Sequence, residues 1–230
     1  NEQRNKLKIQ ISQGLFLFRK GRQKCRPFFV ALVSVNMHMQ YDFIDTDGNY
    51  DLLYPYVRKK SLRKIIDIGA WWGPWSMWWH DKAQHIEIFE PNQQILPKLK
   101  SNIKDFKNCT LHETALGDIS GSVSMEYASH TGTYHIKDRN GPISLKTLDS
   151  YNFNSVDVIK IDAEGYEIPI LEGARNTIKK NRPWIQIEGN KSGERYGRTK
   201  LDINIFLKDL GMTRVTKKWP DQIWTFKKTA

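Results

Sequence analysis

From Lys64 onward the chain alternates between short runs of β-branched residues and longer segments with helical spacing. Lys64-Ile65-Ile66-Asp67-Ile68 is almost continuously apolar, the pattern of a strand buried on both faces of a parallel sheet. Residues 69–73 read as a loop, and Pro74 stands where proline opens helices, so a helix is predicted from there to about Lys82. His85 to Phe89 is the second strand, and Asn92 is the expected N-cap of a helix reaching Phe106. Thr110 to Leu116 is the third strand. Val123 to Ile136 is polar and aromatic with weak alternation, and reads as a hairpin or excursion. Val156 to Ile161 is the fourth strand, Glu167 to Lys180 a helix, Trp184 to Glu188 the fifth strand, and Asp202 to Leu210 a helix closed by Gly211. Thr213 to Thr216 and Ile223 to Phe226 flank a Trp219-Pro220-Asp221 turn and should close the fold as an antiparallel hairpin. Strands and helices in alternation predict an α/β domain over residues 63–230, with a mostly parallel sheet covered on both faces.

Residues 1–62 read as a separate, partly helical extension. Leu7, Ile11, Leu15 and Phe18 share helical spacing within Lys6 to Phe18, residues 45–49 form a turn cluster, and Leu52 to Lys60 is a second predicted helix. Charge sharpens the division. The net charge is +11, and the first 26 residues hold eight Lys/Arg against one acid, Glu2. Such an arm suits phosphate, nucleic acid or an acidic glycan, or is a solvated helix face. Cys25 and Cys109 form no disulfide framework or CxxC pair, which fits a reducing cytoplasm. The longest apolar run, from Phe28, is too short to span a bilayer, and no small-residue cleavage site follows it.

Ligands of open α/β sheets bind beyond the carboxyl ends of the strands, so the loops after strands one, two, four and five carry the candidate chemistry. After strand one, Gly69 permits a tight turn and Gly73 a close backbone approach to a ligand. The G-x-G-x-x-G fingerprint and a Walker lysine are both missing, which argues against a dinucleotide. Asp67, at the strand end, suits a cationic ligand group such as an α-amino group. Glu90 lies 23 residues beyond Asp67 at the end of strand two, the place from which a carboxylate accepts both hydroxyls of a ribose. Together these point to a nucleoside-bearing cofactor. After strand four, Asp162, Glu164 and Glu167 crowd a strand end and helix start, where a helix dipole alone would favour acids. Glu188 ends strand five.

With those residues in view, the chain resembles the FkbM family of methyltransferases. The resemblance rests on Ile66-Asp67-Ile68-Gly69-Ala70, Phe89-Glu90-Pro91, Ala115-Leu116-Gly117, Thr147-Leu148-Asp149, Lys160-Ile161-Asp162-Ala163-Glu164-Gly165-Tyr166-Glu167, Leu171-Glu172-Gly173-Ala174 and Ile187-Glu188, in that order. It implies a Rossmann-like class I methyltransferase fold with a seven-stranded sheet. It also implies S-adenosylmethionine as cofactor and transfer to a hydroxyl oxygen of a sugar or small natural product. Asp67, Gly69, Ala70, Trp71, Gly73, Glu90, Pro91, Ala115, Leu116 and Asp162 are the expected cofactor-binding residues. The family commonly has Asn where this chain has Trp71, and Trp71 and Trp72 become candidates for ligand contact. Trp75, Trp78 and Trp79, at i, i+3 and i+4, read as helix packing.

Methyl transfer to an unactivated hydroxyl needs alignment and removal of a proton. Asp162 or Glu164 is the expected general base or acceptor-binding group, with Glu188 nearby; a structural role for each stays open. No histidine is interleaved with these acids, so magnesium or no metal is expected, and no residue is assigned as a metal ligand. His80, His85, His112, His130 and His135 are scattered and read as surface or packing residues, and of these His130 and His135, in the excursion with Tyr127 and Tyr134, could reach a substrate. The basic charge leaves an RNA methyltransferase as one alternative, although the amino-methylating Asn/Asp-Pro-Pro-aromatic signature and a Pro-Cys nucleophile are missing. A Rossmann-like binding module without turnover is another.

Overall fold

The computed structural model describes residues 9–11, 14–16, 50–126, 134–216 and 220–227. The chain divides into two compact units, Asn1–Ile44 and Asp45–Ala230. In the first, β1 (Ile9–Ile11) and β2 (Gly14–Phe16) pair antiparallel, with Ile9 opposite Phe16. The helix expected over Lys6 to Phe18 is therefore not formed at these residues. Ile9-Gln10-Ile11 also alternates with period two, and Gly14 costs an interior helix about 1 kcal/mol.

The second unit opens with a single helical turn, α1 (Tyr54–Val57), whose Leu53 and Val57 enter the core. There follow β3 (Leu62–Ile68), α2 (Pro74–Trp79), β4 (Ala83–Phe89), α3 (Leu96–Ile103), β5 (Cys109–His112), β6 (Ala115–Leu116), β7 (Gly121–Glu126) and β8 (His135–Lys146). The chain then continues through β9 (Val156–Ile161), α4 (Glu167–Glu172), α5 (Arg175–Asn181), β10 (Trp184–Glu188), α6 (Lys200–Asp209), β11 (Met212–Arg214) and β12 (Asp221–Phe226). Seven strands form one sheet in the order β11-β12-β10-β9-β3-β4-β5. It is parallel from β5 to β10, and β12 runs antiparallel to both of its neighbours. The strand order reverses between β3 and β9, which opens a crevice at the carboxyl ends of these two strands.

Adjacent residues of the central strands enter opposite cores, because side chains alternate across a strand. Ile66, Ile159 and Phe89 pack on one face, and their neighbours Ile65, Val158 and Ile88 on the other. All six are almost wholly buried, so truncating any of the isoleucines or Phe89 to Ala costs about 2–5 kcal/mol. Trp75 and Trp79 also lie in the core, as their spacing required.

Four expectations need adjustment. The third strand is two strands: β5 stays in the main sheet, while β6 pairs with β8 in a separate sheet of order β6-β8-β7. The polar Glu113-Thr114 step makes the switch, and Thr114 Oγ1 donates to the Ser144 carbonyl at 2.7 Å. The excursion is a hairpin whose second arm runs on to Lys146, absorbing residues 139–142 as an irregularity in register. Asn92 is not a helix cap: α3 begins after Ile95, and the Asn92 side chain instead accepts the Gln94 N–H at 3.0 Å. The predicted helix from Glu167 breaks at Gly173-Ala174, and the Asp149 carboxylate caps the second half by accepting from Asn176 N (3.0 Å) and Thr177 N (2.7 Å).

Candidate active site

The loop after β3 turns back against its neighbours. Gly69 and Ala70 donate to the Phe89 carbonyl at 3.0 and 3.3 Å. Gly69 has φ +73, and a Cβ there would lie 1.8 Å from the Asp162 carbonyl oxygen, so only glycine lets the ends of β3 and β9 meet. Gly73 is required by its backbone conformation. It has φ +87, and an added Cβ would press on Leu99 Cδ1 of α3 at 2.8 Å, while the residue itself does not line the cleft.

Asp67 is completely buried and faces protein on all sides. It accepts from Ser76 Oγ at 2.7 Å and lies 3.2 Å from Lys160 Nζ. Its charge is thus matched internally. Lys160 is nearly buried as well; its Nζ donates to the Gly69 carbonyl at 2.7 Å and lies 3.6 Å from Asp162 Oδ2. Burial works against its charge, but Asp67 and Asp162 hold its pKa above the ordinary lysine value. Lys160 therefore ties the glycine turn and two strand-end acids into one unit.

Glu90 faces the cleft at the end of β4. Its Oε2 accepts the Trp71 N–H at 2.8 Å and its Oε1 accepts the Asn92 N–H at 2.9 Å. Burial raises its pKa to about 7 in spite of these two donors. Trp71 makes its contact from a left-handed backbone, φ 52, where asparagine is better tolerated than an aromatic residue. The Trp71 ring stacks on Trp72 at 4.2 Å, and Trp71, unlike Trp72, lines the cleft. Asn92 is 1% exposed, and its Nδ2 is a buried donor with no partner among the described residues.

Across the cleft stand the acids. Asp162, Glu164 and Glu188 bring carboxylate oxygens within 4.8 Å of one another, close enough to share a proton or a cation. Glu188 accepts from Asn190 Nδ2 at 2.7 Å, and burial together with Asp162 and Glu164 raises its pKa to about 9. Burial and Asp162 raise Glu164 to about 7. Glu167 is spoken for: it accepts the backbone N–H groups of Ala163 (3.0 Å) and Gly165 (3.1 Å), fixing the turn on which Asp162 and Glu164 sit.

Of the residues expected at the site, Gly69, Trp71, Glu90, Pro91, Ala115, Leu116, Asp162 and Glu164 line one cavity. Glu188 joins through the acid set. Asp67, Ala70 and Gly73 support the site from behind and do not line the cavity. Sequence reasoning missed Asn92, Thr114, Met125 and Ile136, which also line it. Met125 and Ile136 arrive on the β7–β8 hairpin beside Tyr134 and His135, and Tyr196 Oη fastens that hairpin by donating to the Ile136 carbonyl at 2.6 Å. His112 stacks on Phe89 and contacts Glu87 at 2.8 Å, a packing role, and His80 stacks on Phe106. Tyr127 and His130 lie outside the described residues.

This strand order, with a switch-point crevice and a closing antiparallel hairpin, defines a Rossmann-like methyltransferase fold. Residues 67–212, more than half of the chain, match the family described as Methyltransferase FkbM domain, and the chain belongs to the FkbM methyltransferase family. The crystal structure of methyltransferase FkbM from Methylobacillus flagellatus KT matches with a TM-score of 0.53 and 18% identity, covering 77% of this chain and 48% of that one. The chain thus spans about half the length of that relative. An rRNA methylase from Streptococcus thermophilus matches with a TM-score of 0.48 and 11% identity over 78% of this chain and 95% of its own. Precorrin-6y C5,15-methyltransferase from Geobacter metallireducens GS-15 matches with 0.48 and 16%, over 77% and 87%. At these identities the likeness is one of fold. No curated protein matches the sequence significantly.

Proposed function

We propose that this chain transfers a methyl group from S-adenosylmethionine to a hydroxyl oxygen of a sugar or small natural product. The observation that carries the reading is Glu90: a carboxylate at the end of β4, held by two backbone donors and facing a cleft whose far wall is an acid set. The residues fit a nucleoside. Glu90 keeps free lone pairs for the two ribose hydroxyls, and the orphaned Asn92 Nδ2 beside it is a donor for a nucleoside oxygen or ring nitrogen. S-adenosylmethionine supplies an electrophilic methyl carbon when bound.

The chain's own part is to hold the acceptor and take its proton. Glu188, protonated up to about pH 9, is a hydrogen-bond donor at neutral pH. Asp162, beside Lys160, and Glu164, near its midpoint at neutral pH, are left as the candidate bases. One of these carboxylates would take the hydroxyl proton as the acceptor oxygen bonds to the methyl carbon and the carbon–sulfur bond breaks, which would release S-adenosylhomocysteine. Met125, Tyr134 and Ile136 line the same cavity and are placed to contact the acceptor.

The test is release of S-adenosylhomocysteine against a panel of hydroxyl-bearing glycosides and polyols by wild type, Asp162→Asn and Glu164→Gln. At least one variant should lose turnover by about 10²-fold or more while binding S-adenosylhomocysteine normally. Full turnover in both would remove the base from this acid set.

A further inference from the structure

The parallel strands β5, β4, β3, β9 and β10 all begin at one edge of the sheet, and around the starts of β3, β9 and β10 that edge carries the opposite charge to the cleft. Around the starts of β3 and β10 stand Arg58, Lys59, Lys60, Lys179, Lys180 and Arg182, all exposed. Among residues 54–64, 154–158 and 179–185 the one acid is Asp157, and both its oxygens are taken by Arg63. Two aromatic rings are exposed in the same place, Tyr54 at 37% and Tyr56 at 40%. The patch is continuous: Tyr56 stacks on Trp184 with centroids 5.6 Å apart, and Lys60 Nζ lies 5.4 Å from the centre of the same indole. We infer that this edge docks the protein on an anionic bilayer surface.

The composition decides the partner. Tyrosine and tryptophan rings with a polar rim settle at headgroup depth, and lysine and arginine beside them gain from anionic headgroups. The cleft lies a strand's length away, about 20 Å at 3.3 Å per residue along the six residues of β9. A nucleic acid bound to this edge would leave its reactive groups far from the acid set, whereas a membrane needs no such reach. An anionic surface would also turn the acid-lined cleft away from itself, so docking and access to the site are compatible.

The test is co-flotation of the full chain with phosphatidylcholine vesicles, with and without phosphatidylserine, at physiological ionic strength. The protein should float only with the anionic vesicles. Lys59→Glu/Lys60→Glu should lower the partition about tenfold or more, and Tyr56→Ser should lower it further. Lys6→Ser/Lys8→Ser, in the basic N-terminal stretch, should leave most of the binding in place. Unchanged affinity for S-adenosylhomocysteine in each variant confirms that the domain is folded. Absence of flotation with anionic vesicles overturns the inference. So does equal flotation of wild type and Lys59→Glu/Lys60→Glu, binding that follows Lys6 and Lys8 instead, or tighter capture of a short RNA than of the vesicles.

Discussion

Two carboxylates of the site, Glu90 buried and Glu188 half-buried, differ in what holds them. Glu90 is anchored by the N–H groups of Trp71 and Asn92, fixed backbone donors that favour its charged form. Glu188 is held by one side-chain amide and faces Asp162 and Glu164, which oppose its charge. Both are raised by burial, Glu90 to about 7 and Glu188 to about 9. On the proposed function, the difference assigns the two walls different tasks. A carboxylate set in rigid donors is preorganised to accept hydroxyls, whereas acids crowded together hold a proton between them and can pass it on.

The largest expected effect breaks the unit behind both walls. Lys160→Met leaves Asp67 buried without its cation, which costs about 3–5 kcal/mol. Thermal unfolding should show a large drop, and a near-normal melting temperature would mean that Asp67 is not relying on Lys160. Next is the acid wall: the turnover loss in Asp162→Asn or Glu164→Gln should come without loss of cofactor affinity, which separates this wall from that of Glu90.

Glu188→Gln should act on stability in one direction. The unfolded carboxyl ionises near its ordinary value, while the folded one keeps its proton to about 9. Between those two values the unfolded state binds fewer protons, so stability falls as pH rises through the window. The glutamine variant removes that penalty. At pH 8 it should melt at least about 2 °C higher than wild type, and near pH 4 the two should coincide. A gain that is independent of pH would contradict the raised pKa.

The smallest effect concerns Trp71. Asparagine there relieves part of a left-handed strain of about 1–2 kcal/mol and forfeits an aromatic stack worth about 0.5–1.5 kcal/mol. Trp71→Asn should therefore change stability little and leave cofactor affinity intact, since the contact to Glu90 is made by the backbone. A clear loss of affinity would show that the indole itself touches the ligand.

The parallel strands were legible because their signal is local: β9 and β10 lie where Val156-to-Ile161 and Trp184-to-Glu188 place them. The residues of the cleft that follow those strands were legible for the same reason. What escaped was set by contacts between distant segments. The sequence does not say that Asp67 faces Lys160 across 93 residues, and both its burial and its internal pairing follow from that meeting. Likewise the sequence does not show that Gly73 packs beside Leu99 of α3. The split of the third strand depends on β8, thirty residues away, taking Ala115 and Leu116 into a second sheet. Asn92 resembled a helix cap because asparagine caps by the same kind of bond it makes here to Gln94.

The most direct measurement is calorimetric titration of S-adenosylhomocysteine into wild type, Glu90→Ala and Glu188→Gln, at pH 6 and pH 8. Saturable binding should be about tenfold weaker or more in Glu90→Ala and unchanged in Glu188→Gln. In wild type it should strengthen as pH rises through about 7, because the ionised Glu90 is the better acceptor. Equal affinity in wild type and Glu90→Ala, or no binding by well-folded protein, would contradict the assignment of this cleft to a nucleoside cofactor.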